Sequence, residues 1–206
     1  MTDPSEPAVD ATLQDRLIAA GLDILHERGL SGLTLRACAA RCAVSHAAPS
    51  HHFNGLSGLL GGITTRGFEE LTEFMTAARE KVNDDPRARL VAICEGYLDF
   101  ALNRPALFTL MFNSGLEVEK TVESQQASNR CYAVLCDGCA AYVVPTEPVG
   151  RIETLVWSVV HGLASLRNGE RLRIPDDAVR QPRIDELIDA LGLVPGQSSS
   201  SRPHNT

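Results

Sequence analysis

One stretch constrains this chain more than any other: residues 34–53, TLRACAARCAVSHAAPSHHF. Thr34 carries a hydroxyl able to accept a bond from an otherwise unpaired N–H in a first helical turn. After it, Leu35, Cys38, Ala39 and Cys42 recur at helical spacing and present one apolar face to a core. Ala43-Val44-Ser45 breaks the pattern. Val44 can plug the inside of a turn, and Ser45 can cap a second helix from about residue 46 to 53. Two short capped helices joined by a three-residue turn form the layout of a helix-turn-helix, whose second helix enters the DNA major groove. Pro49 has no N–H to give to the Ser45 carbonyl, so that helix is expected to start distorted or 3₁₀-like.

The remainder of the 206 residues has to support this unit, either within one compact domain or as a larger second one. A hydrophobic content of 44% suffices for a core, and no apolar run approaches the ~18 residues of a membrane span. The acidic, polar start MTDPSEPAVDAT does not read as a signal peptide, so a cytoplasmic location is expected. Six cysteines (38, 42, 94, 131, 136, 139) lie in helical segments and read as reduced thiols filling small apolar slots. The formal net charge is -7, which is unusual for a protein that meets DNA until the chain is divided. Between residues 11 and 66, Arg16, Arg28, Arg36, Arg41 and Arg66 outnumber Asp15, Asp23 and Glu27, while the acidic excess lies elsewhere. Only the segment holding the helix-turn-helix is basic, and mildly so.

In chain order, residues 1–11 read as a disordered tail. Residues 12–28 form an amphipathic helix with Leu13, Leu17, Ile18, Leu22 and Leu25 on one face, Thr12 as cap and Gly29 as its end. A long connecting helix is expected over 58–82, then helices over 86–103 and 106–112, opened by Pro86 and Pro105. Further helices are expected over 117–142, 149–167 and 182–191, with a loop at 145–148 and a disordered tail over 195–206. No segment sustains period-two alternation, so the fold class is all-α. The domains expected are a three-helix DNA-binding domain over 12–57 and a larger helical ligand-binding and dimerisation domain over 58–194.

The order RLIAAGLDILHERGLSGLTLRACAARCAVSHAAPSHHF, followed by GLSGLLGGITTRGFEEL, resembles the TetR family of bacterial transcriptional regulators. The resemblance covers about residues 12–70. Trp157, His161 and Gly162 are similar to the Trp–His–Gly signature of one subclass of TetR ligand-binding domains. The resemblance implies a dimeric regulator, expected to be a repressor, that binds a palindromic operator and is released by a small-molecule effector. It places DNA contacts at Thr34, Arg36, Ser45, His46, Ala47, Ala48, Ser50, His51 and His52. The family usually has Tyr where Ser50 stands and Lys where Leu56 stands, and both grip phosphates. Their loss implies weaker binding or a shallower salt dependence.

The resemblance also implies an effector pocket in the second domain, with Phe68, Phe74, Tyr97, Phe100, Phe108, Met111, Phe112, Tyr132, Trp157 and His161 as candidate lining. Core packing is open to each of these as well. It implies pairing of the last two helices with their symmetry mates through Leu155, Val159, Leu163, Leu166, Leu187, Ile188 and Leu191. From sequence, intrachain packing explains that surface equally well. Expected partners are therefore operator DNA, an effector and a second copy, with no cofactor, no metal and no enzymatic activity. Two rival readings stand beside this one. A metal or redox sensor would use Cys131, Cys136 and Cys139, although no second CxxC-type pair completes a four-ligand site. The other is a TetR-fold small-molecule-binding or interaction protein with weakened DNA binding, which Ser50 and Leu56 motivate.

Overall fold

The computed structural model describes residues 12–143, 152–172 and 181–196. The tail expected at 1–11, residues 197–206 of the tail expected at 195–206, the loop at 145–148 and the start of the helix at 149–151 lie outside the described residues, whereas Pro195, expected in that tail, is held in a short strand. Two compact units are formed, one by the chain up to Glu69 with Arg104–Ser128, the other by Glu70–Asn103 with the chain from Asn129 onward.

In the first unit, α1 (Leu13–Gly32) opens on a capping box: the Asp15 N–H donates to Thr12 Oγ1 at 3.1 Å, and the Thr12 N–H donates to the Asp15 carboxylate at 3.3 Å. Gly29 leaves helical geometry at φ 66°, as a C-cap glycine does, but a further turn carries the element on to Gly32 instead of ending it. α2 (Leu35–Arg41) follows, capped by Thr34, whose Oγ1 accepts from the Ala37 N–H at 3.1 Å. α3 (Gly55–Arg79) begins three residues before the expected start and ends three before the expected end. With α1 packed on α2 and on α5 (Pro105–Phe112), the unit encloses Leu17, Ile24, Leu25, Leu59, Ile63 and Phe108.

The helix expected from residue 117 begins later, as α6 (Val122–Cys139). The reason is tertiary. The Glu119 N–H donates to the Ser57 carbonyl at 3.1 Å, laying the preceding residues along the start of α3, and the Thr121 hydroxyl then accepts from the Ser124 N–H at 3.1 Å to open the helix.

The second unit is built around α4 (Pro86–Asn103), which starts and ends as expected and buries Leu90, Ile93, Cys94, Tyr97, Phe100 and Ala101. It packs against α7 (Ile152–Asn168) and α8 (Ile184–Ala190). Asn168 Nδ2 donates to the Ala101 carbonyl at 2.9 Å, and Arg87 makes a two-pronged pair with Asp189 at 2.7 and 2.6 Å. Against the end of α3 the approach is very close: a Cβ on Gly96 would stand 2.5 Å from the Phe74 carbonyl oxygen. The expected all-α class holds, with one addition. β1 (Tyr142–Val143) pairs antiparallel with β2 (Val194–Pro195), Tyr142 opposite Pro195 and Val143 opposite Val194. Two residues are too few for alternation to register in a sequence.

Candidate nucleic-acid interface and aromatic cluster

The exit from α2 sets the geometry of the interface. Beyond Cys42 the chain turns left-handed at Ala43, φ 56°. The Ala43 N–H donates to the Ala40 carbonyl at 3.2 Å and the Val44 N–H to the Ala39 carbonyl at 3.1 Å. These are the paired reverse bonds of a Schellman turn, with alanine where glycine is usual. Arg16 on α1 braces the turn: its guanidinium donates to the Cys42 carbonyl at 3.0 Å, and the Cys42 thiol donates to the Arg16 carbonyl at 3.4 Å. Left-handed backbone costs an L-residue about 1–2 kcal/mol, part of which glycine recovers. Ala43→Gly is therefore expected to stabilise the chain by about 1 kcal/mol, raising the melting temperature by roughly 2–4 °C in a thermal unfolding scan. An unchanged or lower melting temperature would show that the turn is unstrained.

The expected second helix over 46–53, capped by Ser45, is not formed. In its place stands a four-residue 3₁₀ helix, Ala48–His51, without a side-chain cap. Pro49 is the physical reason. An α-helix starting at Ser45 would run its first bond from residue 49, and proline has no N–H to supply it. The Ser45 carbonyl instead accepts from the Ala48 N–H at 3.0 Å, and the Ala47 carbonyl from the Ser50 N–H at 3.1 Å, both with the tighter 3₁₀ register. Two buried side chains, Pro49 and Phe53, fasten the segment to the unit.

Everything expected to meet DNA lies at the surface. Thr34, Arg36, Ser45, His46, Ala47, Ser50, His51 and His52 are exposed, and Ala48 is half-buried. The arginines divide into two groups. Arg41 is held by Glu27, with Nη1 at 2.9 Å from Oε1 and Nη2 on Oε2, and lies 3.4 Å from Asp23. This contact keeps the Glu27 carboxyl below the usual carboxylate range. Arg66 pairs with Glu69 at 2.9 Å and approaches Asp15 at 3.8 Å. Arg16 is spent on the turn. Among the described residues Arg36 enters no ion pair or hydrogen bond, so its guanidinium is available to a phosphate or a guanine edge. Spacing along the chain could not reveal this division, because each engaged arginine finds its carboxylate or carbonyl partly or wholly on another element.

The residues expected to line an effector pocket divide between the units. In the first, Phe68 meets Phe112 edge-on at 5.9 Å, and Phe112 lies 5.1 Å from Phe108. Met111 is half-buried beside Gly67, whereas Phe108 is fully enclosed and belongs to the core. In the second unit Phe100 is likewise core, in edge contact with Phe74 at 5.8 Å. Tyr97, Tyr132, Trp157 and His161 form a continuous cluster. The Tyr97 hydroxyl lies 2.8 Å from His161 Nδ1, and Trp157 meets both the Tyr132 and His161 rings at about 6 Å. Burial pushes the Tyr97 hydroxyl above the usual phenol range and draws His161 below the usual imidazole range, so the pair is held neutral. Trp157 and Tyr132 remain 40% and 36% exposed at the edge of this cluster.

On the expected pairing surface, Leu163 and Ile188 are buried within the chain's own core along with Val156, Val160 and Ile184, on two helices that pack against α4. Leu155 and Leu166 are exposed, and Val159, Leu187 and Leu191 are half-buried. Apart from the nearby backbone of α7 itself and the flanking residues, nothing lies within 4 Å of where a Cβ on Gly162 would stand, between Leu155 and Leu166.

The thiols of the sensor reading, Cys131, Cys136 and Cys139, are all held above the ordinary thiol range, chiefly by burial. Burial pushes Cys38 and Cys131 up to about 11 and Cys139 up to about 12, and raises Cys94 further. Sensor thiols are low-pKa and accessible, the opposite condition. Among the described residues no group of three or more His, Cys, Asp or Glu side chains is placed to hold a metal ion. None of the described helices is long and apolar enough to cross a membrane.

Comparison with known proteins agrees with this geometry. Residues 90–191 match a family model described as tetracyclin repressor-like, C-terminal domain. The HTH-type transcriptional regulator BetI of Burkholderia thailandensis is 32% identical over 162 residues, which are 77% of this chain and 79% of that one. BetI 2 of Chromohalobacter salexigens is 33% identical over 128 residues, 60% of this chain and 62% of its own. Among solved structures, a protein of unknown function from Rhodococcus sp. RHA1 superposes with a TM-score of 0.69 at 28% identity, covering 90% of this chain and 94% of that one. The multidrug binding protein EbrR, complexed with imidazole, shares the fold with a TM-score of 0.59 at 15% identity, over 92% and 99% of the two chains.

Proposed function

The chain belongs to the TetR family of transcriptional regulators, and we propose that it acts as a homodimeric repressor that grips a palindromic operator and is released by a small-molecule effector. The observation that carries this reading is the exposed contact set around the Schellman turn, with Arg36 clear of the ion pairs that engage Arg41 and Arg66. In this reading residues 12–57 are the DNA-binding domain and 58–194 bind effector and dimerise. A two-fold dimer sets two reading segments about one DNA turn apart, roughly 34–36 Å. The strip Leu155, Val159, Gly162 and Leu166 on α7, with Leu187 and Leu191, supplies an apolar surface on which a second copy can pair, and Gly162 lets a partner helix come close. The Tyr97–Tyr132–Trp157–His161 cluster is the favoured effector contact. Effector binding there acts through a coupling free energy between two sites, by preferring a dimer whose reading segments are wrongly spaced. The protein performs no catalysis in this scheme and works in the cytoplasm, where its DNA lies.

The test is fluorescence-anisotropy binding to the chain's own upstream intergenic DNA, run as a salt series with random-sequence duplex as control. The expected result is tight, two-fold-symmetric binding that weakens as salt rises. If no genomic or selected sequence is bound more tightly than the control, the protein does not regulate by binding an operator, and the reading of it as a weakened DNA binder takes over.

A further inference from the structure

From Cys42 to Thr65 the chain contains no Lys, Arg, Asp or Glu. This interval holds the turn, the 3₁₀ reading segment and the start of α3. Phosphate binding draws its strength from cations, so a reading surface without lysine or arginine needs its charge from another source. The fixed cations flanking it are largely engaged. Arg16 holds the Cys42 carbonyl, Arg41 is held by Glu27 and Asp23, and Arg66 is held by Glu69 and Asp15, which leaves Arg36 on α2 and Arg28 towards the end of α1. What the interval does contain is His46, His51 and His52, three exposed imidazoles within seven residues.

We propose that the phosphate grip of this regulator is carried largely by His46, His51 and His52, so that DNA binding takes up protons and strengthens as pH falls from about 8 to 6. Histidine is the side chain whose ordinary charge change falls in that window, and a neighbouring phosphate favours its cationic form. His52 lines a cleft of about 440 Å³ whose other walls carry Asp15, Glu69, Glu119 and Glu123 against the single cation Arg66. On the elements beside His46 and His51 the charged groups are Arg36 and Arg41 on α2, and Arg16, Asp23, Glu27 and Arg28 on α1, with Arg41 neutralised by its carboxylates. The sign follows from linkage: if the bound state holds more protons than the free state, affinity rises as pH falls. In a dimer the three imidazoles count twice.

This inference rests on the operator-binding reading, and the experiment separates the two. Duplexes are selected from a random-sequence library by the full chain at pH 6 and at pH 8 at one ionic strength. The best duplex is then titrated by anisotropy at both pH values across a salt series. Affinity is expected to be at least about tenfold higher at pH 6. The log–log salt slope should steepen by about 0.9 for each imidazolium newly set against a phosphate. The triple variant His46→Asn, His51→Asn, His52→Asn should lose both effects while melting with the parent, since all three side chains are exposed. His26→Asn, an exposed histidine on α1, should keep them. Selected duplex bound equally at both pH values, or a triple variant that keeps the pH response, would overturn the proton-linked grip and leave the regulator standing. A library that yields no enriched sequence at either pH removes both.

Discussion

Gly96→Val is expected to destabilise the second unit by about 3 kcal/mol and to lower its melting temperature by roughly 6–12 °C. The magnitude follows from what a side chain would meet. A Cβ at this position lies 2.5 Å from the Phe74 carbonyl oxygen, 2.8 Å from the Met75 Cα and 2.9 Å from the Phe74 carbonyl carbon. All three are backbone atoms in α3, and none can rotate aside. The α4 helix must therefore lift away, which opens the Phe74–Phe100 edge contact and exposes Ile93 and Phe100, both fully buried. Gly138 provides the contrast. Its nearest neighbour, at 2.6 Å, is the flexible end of Ile93, so Gly138→Ala should cost clearly less. Equal losses for the two variants, or a Gly96→Val protein melting with the parent, would show that α3 and α4 do not approach this closely.

The second large effect is functional. Arg36→Ala should weaken operator binding by about 1–3 kcal/mol per half-site where it reads a guanine edge, which is some five- to 150-fold for each protomer. Stability should stay within about 0.5 kcal/mol, because the side chain is exposed and has no partner among the described residues. Arg41→Ala should show the reverse pattern. Its guanidinium links α2 to Glu27 and Asp23 on α1, so its loss loosens the helix pair and affects DNA only indirectly. Parallel anisotropy and thermal scans on the two variants distinguish the roles. If Arg36→Ala keeps full affinity, the contact assignment on α2 is wrong.

Much of this architecture is legible in the residues themselves. Thr12 with Asp15, Thr34, Pro86 and Pro105 mark helix starts through local chemistry, and the structure places all four as expected. What the residues do not reveal depends on distant partners. The late start of α6 depends on the Glu119 bond to Ser57, more than sixty positions away, and no local rule contains it. Pro49 announces a disturbed helix, but only the structure shows that no α-helix forms at all. The family resemblance groups the aromatic residues as one candidate lining without separating Phe100 and Phe108, which are enclosed, from Trp157 and Tyr132, which reach the surface. The difference lies in how far neighbouring helices cover them, which no local pattern encodes.

The short 3₁₀ reading segment has an evolutionary consequence. Its attachment to the fold rests on Pro49 and Phe53, while Ser45, His46, Ala47, Ser50, His51 and His52 are exposed. A recognition helix interleaves contact positions with packing positions, so a change of target sequence often perturbs folding. On the proposed reading the two tasks fall on largely separate residues, with Ala48 alone both a contact position and half-buried. A lineage carrying this scaffold can explore new operators by drift at six surface positions without crossing a stability threshold. For the same reason, a library randomised at those six codons should return folded regulators with altered sequence preference.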